Sequence, residues 1–184
     1  MKKIVLVCGL ISGFLFSVWM VIAMNMVYRS ENFEANAIVG YAAMILIFSL
    51  IFVGIKNYRD KYNNGVITFG KAFKIGLYIA IIGSTMYVIT WLIDYYFFIP
   101  DFMDRYTACM IRQCKESGAI LAEISKKTAE MAQFKEMYKN LIFVVLITYS
   151  EVLPAGLLVT LISSLILKRK TPPQDLVISK SFAS

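Results

Sequence analysis

The chain has no histidine. That excludes imidazole metal ligation and histidine-based acid–base or triad chemistry. Cysteine is scarce: Cys8, Cys109 and Cys114 alone, with no Cys-x-x-Cys pair. Five residues of helix would set Cys109 and Cys114 roughly 140° apart around the axis, a poor disulfide geometry. All three read as free or packed thiols. Charge is thin, at 17% of residues, where a soluble domain carries about a quarter. Acidic residues are the scarcer sign, 12 against 19 basic, for a net charge of +7. The basic excess does not point to nucleic acid. Lysine and arginine cluster at the ends of apolar blocks, where they set membrane topology.

What is abundant is hydrophobic: 59% of the 184 residues, in blocks of twenty or more. Such blocks predict transmembrane helices. The expected fold class is an all-α membrane protein with four transmembrane helices and a helical extracytoplasmic segment between the third and fourth. The spans are expected at about residues 4–27, 37–55, 73–98 and 141–167, within one membrane domain of residues 1–170. The first run follows Lys2 and Lys3 as in a signal peptide, but it is long and no small-x-small site follows it. It is expected to be a retained helix. Residues 171–184, opening on Thr171-Pro172-Pro173, are expected to form a disordered cytoplasmic tail.

Small residues mark candidate helix contacts. Gly9, Gly13 and Ser17 recur at four-residue spacing in the first span, and Ala37, Gly40 and Ala43 at three-residue spacing in the second. Two small faces joined by a short polar turn, residues 28–36, predict an antiparallel pair. Residues 56–70 read as a basic, aromatic loop closed by Asn63-Asn64-Gly65, a turn tripeptide. With Lys71 and Lys74 it offers anionic lipid headgroups a surface, or serves only as topology determinant and snorkelling anchor. Pro100 should end the third span, beneath an aromatic belt of Trp91, Tyr95, Tyr96, Phe97 and Phe98.

Residues 101–140 carry apolar side chains at roughly helical spacing among charges of both signs, with Gly118 as the break. Two helices with one buried stripe are expected there, lying on the membrane or packed on each other, and a protein partner is possible. No phosphate loop, metal cluster or nucleophile–base pair occurs in that segment. Eleven basic residues fall on one side of the four spans and eight on the other, seven of those in the long segment. Their density beside helix ends puts both termini in the cytoplasm.

One spot is physically unusual. Glu151, Pro154 and Gly156 lie near the middle of the fourth span. An acidic residue near a helix centre costs about 2.5–3.5 kcal/mol on insertion scales. No lysine or arginine is expected at its depth. The carboxyl is therefore neutral, holds a cation, or meets an arginine such as Arg105 reaching inward. Pro154 has no N–H, so the Ser150 carbonyl loses its helical partner. A freed carbonyl beside a carboxylate suits cation coordination, as in broken transporter helices. Asp94 shares a face with Thr90 and Tyr87 and could share a cavity with Glu151. The plainer reading is a neutral Glu151 hydrogen-bonded to Tyr87, Thr90 or Asn25, beside a proline kink.

Three stretches carry a family resemblance: Gly65-Val66-Ile67-Thr68-Phe69-Gly70-Lys71-Ala72-Phe73-Lys74-Ile75-Gly76; Ile99-Pro100-Asp101-Phe102; and Glu151-Val152-Leu153-Pro154-Ala155-Gly156 followed by Leu161-Ile162-Ser163. They resemble the integral-membrane family called domain of unknown function 4199. The resemblance implies a bacterial four-helix membrane protein and no activity, cofactor or catalytic residue. The expectation is a non-enzymatic protein of the bacterial inner membrane. The alternatives are a proton- or cation-coupled transport component using Glu151 and Asp94, and an assembly or regulatory partner of another envelope protein.

Overall fold

The computed structural model describes residues 1–30 and 36–170. The polar turn expected around Glu31 and Glu34 and the expected tail at 171–184 lie outside the described residues. The helices are α1 (Lys2–Arg29), α2 (Ala37–Tyr62), α3 (Phe69–Ile93), α4 (Phe102–Glu116), α5 (Leu121–Tyr138) and α6 (Leu141–Leu167). A π-helical turn, Asp94–Phe98, extends α3. α1, α2, α6 and α3 with its π turn are long and apolar enough to cross a membrane. Their outward faces are apolar too: Ile38 is 81% exposed, Leu46 74% and Ile142 69%. Helices that are hydrophobic all round need an apolar surrounding, and we read the chain as spanning a membrane four times.

Four of the helices, α2, α3, α5 and α6, begin where the sequence supplies a side-chain acceptor for orphan N–H groups. Asn36 Oδ1 accepts from Ile38 and Val39 at 3.0 and 3.2 Å. Thr68 Oγ1 accepts from Lys71 at 3.4 Å, and Asn140 Oδ1 from Ile142 at 2.9 Å. Glu123 Oε2 accepts from the Ile120 N–H at 3.1 Å at the start of α5. The turns use left-handed backbone as expected, with φ of 51° at Asn64, 76° at Gly65 and 77° at Gly118.

α3 is the central helix, packed along α1 on one side and α6 on the other, while α2 leans on α6. The main core runs through Phe16, Phe48, Ile51, Ile55, Ile75 and Ile79, all fully buried. Close approach rests on glycine. A Cβ at Gly76 would stand 2.7 Å from Thr160 Cγ2, and one at Gly54 2.7 Å from Ile79 Cδ1.

Two expectations are corrected here. The basic loop 56–70 is mostly helix: α2 continues through Lys56, Arg59 and Lys61 to Tyr62, leaving a turn of residues 63–68. Basic residues are good helix formers and are favoured at a helix C-terminus. They mark where the bilayer ends, not where the helix does. The small faces of α1 and α2 also do not meet. Gly9, Gly13 and Ser17 face Ile82, Met86 and Thr90 of α3. A Cβ at Gly40 would have nothing within 4 Å.

The end of the bundle that bears the 63–68 turn is stapled. Ile67 and Arg169 exchange two backbone hydrogen bonds, 2.9 and 2.8 Å. Arg59 Nη1 donates to the Leu167 carbonyl at 3.4 Å, and Lys71 lies 5.1 Å from the Tyr58 ring centre. At the opposite end α4 and α5 pack on each other and on the bundle. Phe102, Tyr106, Phe134 and Tyr138 form one aromatic cluster with Trp91, and Lys135 pairs with Asp104 outside it.

Candidate functional site

α2 and α6 touch closely at one level and part above it. At the contact, Gly156 lets Phe48 in: a Cβ there would stand 2.9 Å from Phe48 Cζ and 3.0 Å from Ala80 Cβ. Toward the α4–α5 end the two helices diverge around a cavity of about 560 Å³. Its walls include Ala37, Gly40, Tyr41 and Met44 of α2, Tyr87 and Trp91 of α3, and Ile147, Thr148 and Glu151 of α6. The hairpin supplies Phe102, Tyr106, Phe134 and Tyr138. Ala37 and Gly40 of α2 thus hold space open instead of permitting a helix contact.

Glu151, an exposed residue of α6, supplies the one carboxyl group of this lining, beside four tyrosines and three other aromatic rings. It has no ion pair among the described residues. Thr148 Oγ1 donates to the Val144 carbonyl at 2.7 Å, so that hydroxyl is satisfied within α6. Tyr138 lies outside the spans. Burial pushes its hydroxyl up to about 12, the Trp91 indole donor lowers it, and a charged Glu151 would raise it.

The structure gathers only two of the six expected site residues, Glu151 and Tyr87, into this cavity. Asp94 faces a different space of about 480 Å³ with Asn25, Tyr28 and Arg29. The shared cavity for the two acids and the Asn25 partner are therefore corrected. Thr90 is also engaged elsewhere, 2.6 Å from Ser17 Oγ, and it donates to the Met86 carbonyl at 2.9 Å. Pro154 and Ser150 are exposed and line neither cavity. α6 runs unbroken through Pro154, so no broken-helix ion site forms. Gly156 serves the packing below the cavity. Arg105 does not reach inward: it pairs with Asp101 at 2.9 Å and lies 4.1 Å from the Tyr28 ring centre.

Sequence reading missed the aromatic roof. Phe102, Tyr106 and Tyr138 belong to the apolar stripe expected along residues 101–140. The available signal was their aromatic character at four-residue spacing, Phe102 with Tyr106 and Phe134 with Tyr138.

Among the described residues no group of three or more Cys, Asp or Glu is placed to hold a metal ion. No curated protein and no solved structure matches the chain. The match to a family model is broad, over residues 8–169, and agrees with the resemblance carried by the Gly65–Gly76, Ile99–Phe102 and Glu151–Gly156 stretches. On that match the chain belongs to the family described as Protein of unknown function (DUF4199).

Proposed function

We propose that this is a non-enzymatic, multi-pass protein of the bacterial inner membrane that binds a small ligand in the α4–α5 half of its bundle. Both termini face the cytoplasm in this reading, and the hairpin faces out. Lys56, Lys61 and Lys74 lie beside anionic headgroups at the inner surface. The observation that carries the proposal is the cavity itself: about 560 Å³, within the ordinary size for a ligand site, lined by aromatic rings with a single carboxyl group, the exposed Glu151, on its margin. A transport role extends the same reading, with Glu151 alone as the polar anchor.

Cysteine labelling tests this reading in a chain with Cys8, Cys109 and Cys114 replaced by alanine. A small membrane-impermeant thiol reagent added to intact cells should modify Leu121→Cys at the exposed hairpin tip and Gly40→Cys in the cavity wall, and should spare Lys61→Cys. Labelling of Lys61→Cys from outside reverses the orientation. Labelling of Leu121→Cys without Gly40→Cys removes the accessible cavity and with it the binding proposal.

A further inference from the structure

We propose that the ligand is an organic cation: a quaternary or protonated amine carrying an apolar body. This inference rests on the reading of the cavity as a binding site and names its chemical class. Three features converge on it.

The first is charge. Glu151 is the lone carboxyl group of the lining, and no lysine or arginine joins it. A ligand entering this space meets one unmatched carboxyl group at the edge of an apolar chamber. A bound monocation stabilises the ionised carboxylate and makes a neutral pair with it; an anion or a neutral molecule does neither.

The second is the walls. Tyr87, Trp91, Phe102, Tyr106, Phe134 and Tyr138 line the chamber, with Tyr41 across from them on α2. Several are held in edge-on pairs, including Trp91 with Phe102 at 4.9 Å and 83°, and Tyr95 with Tyr138 at 5.3 Å and 72°. Each ring face carries negative electrostatic potential that attracts a weakly hydrated cation. Met24, Met44 and Met110 also line the wall. Methionine is flexible and polarizable, and it adapts to apolar groups of different shape.

The third is size and donor count. A bare calcium or magnesium ion needs about six oxygens at close range. This chamber offers one carboxylate and scattered hydroxyl and amide groups, in a volume of about 560 Å³. An alkylammonium or arylammonium body occupies such a space; a metal ion does not.

Trp91 in the wall is a built-in reporter. The full chain carrying Trp19→Phe is titrated in detergent with benzyltrimethylammonium, with its neutral isostere neopentylbenzene, and with sodium, while tryptophan fluorescence is followed. Wild-type Glu151 is compared with Glu151→Gln. The expected result is a saturable response to benzyltrimethylammonium, at least about tenfold tighter than to the isostere. Glu151→Gln should remove that preference and leave the isostere unchanged. Equal affinity for cation and isostere, or a preference that survives Glu151→Gln, overturns the cation class while leaving the cavity a ligand site. Saturation by sodium without the organic cation overturns it as well. No saturable response to any probe overturns both the class and the binding reading. If Glu151→Gln does not fold, the cation–isostere comparison on wild type decides the matter.

Discussion

Replacing Gly13 with alanine should destabilise the bundle, and the same change at Gly40 should not. An added Cβ at Gly13 would overlap Met86, standing 2.7 Å from its Cβ and 2.8 Å from its Cγ. The Cγ and sulfur can rotate away, but the Met86 Cβ is fixed to the α3 backbone. α1 or α3 must therefore shift. Overpacking of this kind costs about 1–3 kcal/mol, and the fixed Cβ places the cost near the upper end. Alanine recovers about 1 kcal/mol through helix propensity. The net loss is about 2 kcal/mol. At Gly40 nothing lies within 4 Å of the new Cβ, so only the gain of up to about 1 kcal/mol remains. The two variants should differ by about 3 kcal/mol, or roughly 6–12 °C in Tm for a chain of this size. Thermal unfolding in detergent, followed by tryptophan fluorescence, measures the gap. Adding Met86→Ala to Gly13→Ala should rescue only part of the loss, because alanine keeps the offending Cβ. If Gly13→Ala melts at or above wild type, or Gly40→Ala melts as low as Gly13→Ala, the α1–α3 contact is misassigned.

Gly156→Ala should cost about 1–2 kcal/mol by the same reasoning, since the new methyl would meet Phe48 and Ala80 at 2.9 and 3.0 Å. Phe48→Leu in the same chain should return part of that loss in thermal melts; loss unchanged by Phe48→Leu would place the obstruction elsewhere. Tyr138 makes a pH prediction. Its folded value of about 12 exceeds the ordinary 10, with burial as the largest cause. A raised folded value means its contribution is fully present below about pH 10 and is lost as pH rises toward 12, by roughly 3 kcal/mol at most. Wild type should therefore lose Tm across pH 10–12 more steeply than Tyr138→Phe, and parallel curves would show that the hydroxyl is not shielded as described.

The boundaries of α6 were legible residue by residue: Asn140 caps it, twenty-seven apolar-rich positions follow, and it stops at the basic run beginning with Lys168. The C-terminus of α2 was not. Lys56, Arg59 and Lys61 signal the bilayer edge, and charge carries no instruction to end a helix there. The turn that does end it, Asn63-Asn64-Gly65, was legible because positive φ favours glycine and asparagine. The small stripes of α1 and α2 looked alike in sequence, yet one admits α3 and the other lines a cavity. Spacing identifies a face with little bulk. It does not say whether a neighbour fills it.

The same limit explains why Asp94 and Glu151 separate. Asp94 lies seven residues from Tyr87, which returns it to nearly the same face of α3. Face arithmetic therefore groups Tyr87, Thr90 and Asp94 correctly on one helix. It is silent about what crosses that face. α1 does: Ser17 bonds Thr90 at 2.6 Å, and Phe16 packs edge-on against Tyr87 with ring centres 5.6 Å apart. Further along α1, Met24 lines both cavities and so stands between them. One cavity keeps Tyr87 and receives Glu151 from α6; the other keeps Asp94 and receives Asn25 and Arg29 from α1. The division follows from glycines at positions 9 and 13, which let α1 lie close enough to α3 for Ser17 to reach Thr90. A chemical pairing that the sequence leaves open is closed by a packing choice two turns away.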